Sequence, residues 1–514
     1  MQAQSANNET YDLIVVGGGV NGTGIAADAA GRGLKVLLCE MNDLASATSS
    51  NSSKLIHGGL RYLEYYEFRL VREALAEREV LLKNAPHIIA PLRFQLPHRP
   101  HLRPAWMIRA GLFLYDNLAK RDTLERSKSL KFDSNSPLKS EMKKGFEYSD
   151  AAVHDARLVI CNALLAKEKG ADIRVRTRCV KALRDTQGWC VTLKDKHDKE
   201  VNVQAKAVVN AAGPWVTSLF DDALVEKSPK SIRLVKGSHI IVPRIHQQPQ
   251  AYILQNEDGR IVFVIPYEDD FSLIGTTDVD YEGNPSEVAI DEDEINYLVN
   301  VTNQHFKQQI SADDVVGTYS GVRPLLNDES DSAQAVTRDY TFEVTTEDTD
   351  YPLLSVFGGK ITTYRKLSEA AVNKVCEYFP HAAGAWTKTA TLPGGEFKSR
   401  AEYGATLQAK YSWLRTQMIN RYVRNYGTLC ETFLAKCAAI EDMGTDFGGG
   451  LYQAEVDYLI ESEWASDLDD ILWRRTKMGM VLSSSQKQQL ADYLLSNTEP
   501  QGGYSSHSYQ QQAG

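Results

Sequence analysis

The sequence predicts an α/β protein with a parallel nucleotide-binding sheet, a region of antiparallel strands, and an all-helical C-terminal part. Three observations carry this reading. A strand, glycine loop, helix and strand follow one another over residues 11–40. Two later apolar strands, 205–210 and 353–357, also run into glycines and suggest returns to the same sheet. Beyond residue 393 the pattern becomes charged helices with few β-branched runs.

In the first unit, YDLIVVGGGVNGTGIAADAAGRGLKVLLCE, the apolar run 13–16 reads as a buried parallel strand. Gly17, Gly19 and Gly22 stand at G-x-G-x-x-G spacing. Gly17 serves the sharp turn, Gly19 lets backbone N–H groups approach a pyrophosphate, and Gly22 lets the helix pack on its strand. The helix N-terminus then presents partial positive charge to phosphates. A second strand, 35–38, ends near Glu40, which lies 18 residues beyond Gly22, where a ribose-binding carboxylate belongs. The acid suits an unphosphorylated ribose, so FAD or NAD rather than NADP.

Next comes a hydroxyl-rich loop with Thr48, Ser49, Ser50, Ser52 and Ser53, then the short extended piece Lys54-Leu55-Ile56-His57-Gly58-Gly59. The loop is either a donor set for the cofactor or a flexible connector. Arg61 and Tyr62 follow, a guanidinium and a phenol suited to an anionic ligand, although a surface role is the commoner one. Residues 68–83 form an amphipathic helix. Residues 99–121, RPHLRPAWMIRAGLFLYDNLAKR, hold five Lys/Arg against one acid, Asp116, in a chain of net charge −10. Basic residues interleaved with Trp106, Phe113 and Tyr115 describe either a segment in a membrane interface or a helix docked on the protein's own core.

Residues 123–147 are polar and read as loops around short elements. A helix over 155–167, strands over 173–183, 189–193 and 199–203, and the strand 205–210 before Ala211-Ala212-Gly213-Pro214-Trp215 follow. Strand 234–243 has one polar interruption beside Ser238, His239, either a satisfied core histidine or a titrating group in a pocket. Strands 260–266 and 271–277 are antiparallel, and Gly275-Thr276-Thr277-Asp278 closes that section. Residues 291–306 are helical, and 318–324 is extended and carries Arg323. After strand 353–357 come Gly358, Gly359 and Lys360, then a helix beginning at Ile361-Thr362-Thr363, another site for an anion or a carbonyl oxygen. Residues 401–438, 452–464 and 486–495 are helical, and the last residues, 499–514, are expected to be disordered.

The balance of 57 basic against 67 acidic residues argues against nucleic-acid binding. Seven scattered cysteines without C-x-x-C spacing fit a reducing compartment and no metal centre. The first ten residues resemble neither a signal nor a transit peptide, and no stretch is long and apolar enough to span a membrane, so a cytosolic protein is expected.

VVGGGVNGTGIAADAAGRGL, SSKLIHGGLRYLE, AAGPW, KGSHIIVP, GTTD, SGVRPL and FGGKITTYRKLSE, in this order, resemble the FAD-dependent respiratory glycerol-3-phosphate dehydrogenases in their bacterial form. One departure is AAGPW in place of ATGPW. The resemblance implies an FAD-binding Rossmann-like fold of the glutathione-reductase and amino-acid-oxidase type. It places an FAD-dependent oxidoreductase domain over 1–392, with FAD-binding parts near 1–90, 150–228 and 353–380. Antiparallel-sheet substrate parts lie near 91–149 and 229–352, and a helical domain follows over 393–498. It further implies oxidation of sn-glycerol 3-phosphate to dihydroxyacetone phosphate, with electrons passed to quinone, and a homodimer. An oxidase passing electrons to oxygen and an amine or amino-acid oxidase of the same fold are the alternatives. A quinone reductase must reach lipid, which points to residues 99–121 as a peripheral attachment to the cytoplasmic face of the inner membrane. Arg61, Tyr62, Arg323 and Lys360 are then the expected substrate contacts, and His239 the leading base with His57 the alternative. The implied FAD contacts are Gly17, Gly19, Gly22, Glu40, Thr48, Ser49, Ser50, Lys54, Leu55, His57, Val180, Gly213, Asp278, Gly358, Gly359, Lys360, Ile361 and Thr362.

Overall fold

A strand with Leu13, Ile14, Val15 and Val16 in succession is stable only with both faces covered, and Thr10–Val16 occupies the middle of a sheet. It runs parallel to Val36–Cys39 on one side and to Glu200–Asn210 on the other. Asp172–Arg174 extends the first flank in parallel, Leu353–Gly358 the second, and Tyr340–Thr345 pairs antiparallel beyond it. The registers Val16↔Asn210, Val16↔Cys39 and Asn210↔Ser355 bring the C-terminal ends of these strands level. An open parallel sheet binds its ligand just beyond such ends. The computed structural model describes residues 9–327, 339–347 and 349–498, so the expected tail over 499–514 lies outside the described residues.

The stretch 173–183, expected as one strand, is two: Asp172–Arg174 in the parallel sheet and Thr177–Asp185 in a hairpin, separated by Arg176 at φ 49°. The sheet is covered by Val20–Gly31, which packs against Asp155–Glu168 and Tyr364–Cys376, and elsewhere by a core containing Trp189, Val208, Phe220 and Phe357.

The second sheet is mostly antiparallel. Ile232–Pro243 lies between Phe271–Gly275 and Gly317–Leu326, and the sheet continues through Ile261–Tyr267 and Ala251–Gln255 to Ile89–Pro97 and Lys144–Val153. Helix Glu292–His305 covers it, with Leu298, Val301 and Phe306 packed on Ile240, Tyr252, Val264 and Ile274. In the polar stretch 123–147, expected as loops around short elements, the elements are the strand Lys128–Lys131 and the start of Lys144–Val153. The cause is charge neutralised by contact. Glu147 pairs with Arg93 and Lys128, and Asp150 with Arg78, so acids that suggest solvent are buried in a strand.

The chain divides into two compact units, residues 1–432 and 433–514. The helical run expected over 401–438 is split into Arg400–Lys410, Thr416–Asn425 and the short turns Gly427–Cys430 and Glu431–Leu434, with a break at Gly427 (φ +54°), whose lack of a side chain lets it meet the Gly394 carbonyl. In the second unit, Gln453–Glu463 packs on the turns at Ile440–Met443 and Asp470–Arg475.

Among the described residues four histidines are buried and held neutral. Burial, with Arg157 and Arg400 nearby, takes His87 well below its ordinary value, and burial with Lys54 and Arg323 does the same to His239. Burial lowers His246 and His305 to about 4. Below about pH 6.5 the unfolded chain takes up protons that these native imidazoles refuse, so they remove stability as pH falls. For His246, native near 4, the loss between pH 7 and pH 5 is roughly 2 kcal/mol. Denaturant unfolding at the two pH values should show this drop, and His246→Phe, which keeps the ring packing on Tyr252 and Phe306, should reduce it. An undiminished drop in the variant would take His246 out of the linkage.

Candidate active site

Beyond the level strand ends lies a cavity of about 390 Å³, lined by the glycine loop at one end and by residues of the second sheet at the other. Gly17 sits at φ +115°, and a Cβ there would stand 2.5 Å from the Ala211 carbonyl oxygen. A Cβ at Gly22 would collide with the Gly17 carbonyl, so the helix starts close against its strand as the spacing predicts. Gly19 is the N-cap of Val20–Gly31 and has no side chain to cap it, leaving the first turn as an anion-binding end at the cavity wall. Glu40 lines the same wall, its carboxylate accepting from the N–H groups of Gly18 (2.6 Å) and Asn42 (2.8 Å). Burial pushes this carboxyl up, against the pull of those donors.

The hydroxyl-rich loop is engaged residue by residue. Thr48 Oγ1 donates to the Val322 carbonyl (2.6 Å), and Ser49 Oγ accepts from Val20 N–H (3.0 Å). Ser50 Oγ reaches the Ala47 carbonyl at 3.5 Å and Ser52 Oγ donates to Asp155 at 2.8 Å. Thr48, Ser49, Ser52, Ser53 and Leu55 line the cavity, whereas Ser50 does not. Lys54 is not among the lining residues either. Its ammonium pairs with Asp155 (2.9 Å) and donates to the Ser50 carbonyl (2.8 Å), which commits it to holding the loop.

At the other end three cations line the cavity. Arg323 Nη1 pairs with Asp278 (2.6 Å) and Nη2 donates to Thr276 Oγ1 (3.1 Å). The pairing Val235↔Arg323 places the guanidinium over Gly237, where any Cβ would collide with it. Lys360 Nζ lies 3.8 Å from the centre of the Tyr62 ring. Arg61 is held loosely, 3.4 Å from Tyr65 Oη. His57 lines this end, edge-on to Phe263, and its N–H donates to Thr362 Oγ1 (3.2 Å). Ile361–Thr363 opens the helix that follows Gly358 and Gly359, so positive helix-end potential also reaches the cavity.

His239 is placed differently. It is buried, stacked on Tyr319 with ring centres 4.7 Å apart, and Nε2 is 3.0 Å from Ser53 Oγ. The imidazole is not among the lining residues, but Ser53 is, so His239 stands one hydroxyl behind the wall. Val180 is also outside the lining set. It lies at the register shift between Cys179 and Lys181, and its neighbours Thr177, Arg178 and Cys179 line the cavity instead. Gly213, Asp278, Gly358, Gly359 and Lys360 are all at the wall. Sequence reasoning missed Asn21, Tyr148, Phe263 and Thr276 as lining residues. Thr276 was within reach, lying beside Asp278 in a polar run at a strand end. Tyr148 and Phe263 carry no local signal, because they meet the cavity through strand pairing alone.

Comparison with known proteins agrees with this geometry. The family described as FAD dependent oxidoreductase matches residues 12–365, and the C-terminal domain of alpha-glycerophosphate oxidase matches residues 385–497. The aerobic glycerol-3-phosphate dehydrogenase of Escherichia coli (strain K12) is 58% identical, over 96% of this chain and 98% of its own length. The D-erythritol 1-phosphate dehydrogenase of Brucella abortus (strain 2308) is 50% identical, over 95% and 98%. The solved glycerol-3-phosphate dehydrogenase of Bacillus halodurans, complexed with FAD, superposes with a TM-score of 0.71 at 26% identity, covering 95% of this chain and 94% of that one. The close turn at Gly17, the side-chain-free N-cap Gly19 and the Glu40 carboxylate fit the phosphates and ribose of that cofactor.

The Asp278 pair aims Arg323 into the cavity. Arg323→Met should weaken inorganic phosphate binding about tenfold, the scale of one charge-assisted hydrogen bond. Isothermal titration calorimetry reads this directly, and an unchanged affinity would separate Arg323 from the anion site.

Proposed function

The chain belongs to the family of FAD dependent oxidoreductases, and on that footing we propose that it oxidises sn-glycerol 3-phosphate to dihydroxyacetone phosphate and passes the electrons to a membrane quinone, working as a homodimer. FAD, when bound, accepts the hydride from C2 of the substrate. The protein's share is to bind the dianion, orient C2 and take the proton of the 2-hydroxyl. The observation that carries this is the convergence of Arg61, Arg323 and Lys360 on one cavity with His57. Arg323 and Arg61 offer planar forks to phosphate oxygens, and Lys360 adds a compact charge. The proton goes to a histidine. His57 can meet the substrate directly, whereas His239 reaches the cavity through Ser53, so position favours His57 for the first transfer and His239 for a supporting role. The Brucella abortus relative favours a second reading with a longer polyol phosphate, on the same chemistry.

The deciding experiment is anaerobic bleaching of the flavin spectrum by glycerol 3-phosphate, then reoxidation by a quinone analogue. Fast bleaching with glycerol 3-phosphate and slow bleaching with D-erythritol 1-phosphate is the expected result, and His57→Asn should slow it by about 10²- to 10⁴-fold. Bleaching by an amino acid, or reoxidation by oxygen alone, would replace the reading with one of the oxidases.

Among the described residues no helix is long and apolar enough to cross a membrane, so contact with lipid has to be peripheral. Helix Ala105–Asn117 has two faces. Ile108, Leu112 and Tyr115 are buried, whereas Trp106 (69% exposed), Met107, Phe113 (62%) and Leu114 face outward. Tyr65, Tyr66 and Phe68, on the neighbouring turn and helix start, are exposed as well. The basic residues of 99–121 are largely spoken for, since Arg103 pairs with Glu64, Arg121 with Asp116 and Lys120 with Asp122. The apolar stripe is therefore the stronger lipid contact, each large side chain adding about 1.5–3 kcal/mol on burial. Trp106→Ala combined with Phe113→Ala should move the enzyme to the soluble fraction in a vesicle flotation assay while turnover with a soluble dye persists. Undiminished flotation would refute attachment through this helix.

A further inference from the structure

We propose that Tyr115 is a positioning residue for the reaction, holding in place through Gly58 the turn that carries His57, Arg61 and Tyr62. Tyr115 Oη accepts a hydrogen bond from Gly58 N–H at 2.8 Å. The same hydroxyl donates to Asp150, 2.8 and 2.9 Å from its two carboxylate oxygens. Donation to a carboxylate polarises the phenol oxygen and makes it a better acceptor for the amide. Asp150 is fixed in turn by Arg78, which pairs with it, donates to the Ser149 carbonyl (2.8 Å) and lies 5.8 Å from the Tyr115 ring centre. Tyr115, Asp150 and Arg78 are all buried, so water cannot stand in for any of these contacts.

Gly58 is built for this approach. A Cβ there would lie 2.7 Å from Tyr115 Oη and 2.6 Å from Leu75 Cδ2. Gly59 follows in the left-handed region at φ +74°, so two residues without side chains separate His57 from Leu60, Arg61 and Tyr62. Such a turn has little packing of its own and depends on its amides. The amide of His57 is tied to Thr362 and that of Gly58 to Tyr115, one on each side of the cavity-lining imidazole. Losing the second tie frees the glycine pair and lets the Arg61 guanidinium drift from the phosphate site. The opposite face of the helix that carries Tyr115 presents an apolar stripe outward, so one residue joins that helix to the reactive end of the cavity.

The role in turnover rests on the glycerol 3-phosphate reading, but the tie itself does not, and the test separates the two. Tyr115→Phe, in the full-length holoenzyme, removes one oxygen and keeps the ring packed on Tyr148. Amide hydrogen exchange over residues 57–62 should speed up about tenfold, and kcat/KM for glycerol 3-phosphate with a soluble dye should fall about tenfold, mainly through KM. Leu112→Ala, buried on the same helix, should lower the melting temperature yet leave both readouts within twofold per bound flavin. Parent-like exchange and kcat/KM in Tyr115→Phe, or an equal change in Leu112→Ala, would overturn the proposal. If the parent enzyme does not oxidise glycerol 3-phosphate, the functional reading falls, while the exchange measurement still decides the role of Tyr115.

Discussion

The buried carboxylate of Asp155 is the point on which the cavity depends. It is fully enclosed at the start of helix Asp155–Glu168 and receives the Lys54 ammonium, the Ser52 hydroxyl and the Ala156 N–H. Lys54 lies over the ring of Tyr319 (4.7 Å), Tyr319 donates to the Ser52 carbonyl, and His239 stacks on the same ring. One charge pair therefore fastens the loop after the glycine helix to the parallel sheet's helical layer and to the second sheet. Removing either partner leaves an unpaired buried charge, at a cost of about 3–5 kcal/mol. Within the hydroxyl-rich loop the pair supplies fixed partners to the Ser52 hydroxyl and the Ser50 carbonyl.

That dependence explains which parts of the site were legible in the sequence. The glycine spacing, the apolar strand before it and Glu40 were readable because the chemistry there is local: a turn, a close approach and a strand end within some thirty residues. Arg323, Asp278 and the Gly358–Thr362 turn were readable as motifs, and strand register brings them to one cavity. Lys54, expected as a cofactor contact, lies outside the cavity lining, and nothing near it in the chain shows that Asp155, 101 residues on, pairs with its charge. Strand Lys144–Val153 was hidden by the same physics, its acids neutralised by distant arginines. Helix Ala105–Asn117 shows both of its faces in sequence, but which residues point inward is fixed by what Ile108, Leu112 and Tyr115 meet in three dimensions.

The two histidines divide along similar lines. His239 has the cationic surroundings and lowered proton affinity that keep an imidazole neutral, yet Ser53, Gly275 and Tyr319 enclose it. A Cβ at Gly275 would collide with its ring, so the strand opposite has been cleared to admit it. A side chain packed this tightly suits orienting a hydroxyl better than swinging toward substrate. Ser53, bonded to it at 3.0 Å and present at the wall, is the group that His239 can orient.

Charge balance then sets what the reactive end can hold. Arg61, Arg323 and Lys360 line it and Asp278 is the carboxylate among them, so three positive charges less one negative leave two. A phosphate monoester carries about −1.5 to −2 at neutral pH, so it is matched without a surplus. An amino-acid carboxylate, with a single negative charge offset by its own ammonium, would leave most of that positive potential unanswered. The three cations are also tethered unequally: Arg323 by a carboxylate, Lys360 over an aromatic face, Arg61 by a long contact to Tyr65. In the proposed reading the firmest of them fixes the phosphate, and the loosest is the one whose position must come from its backbone, which is where the anchored Gly58 turn enters the chemistry.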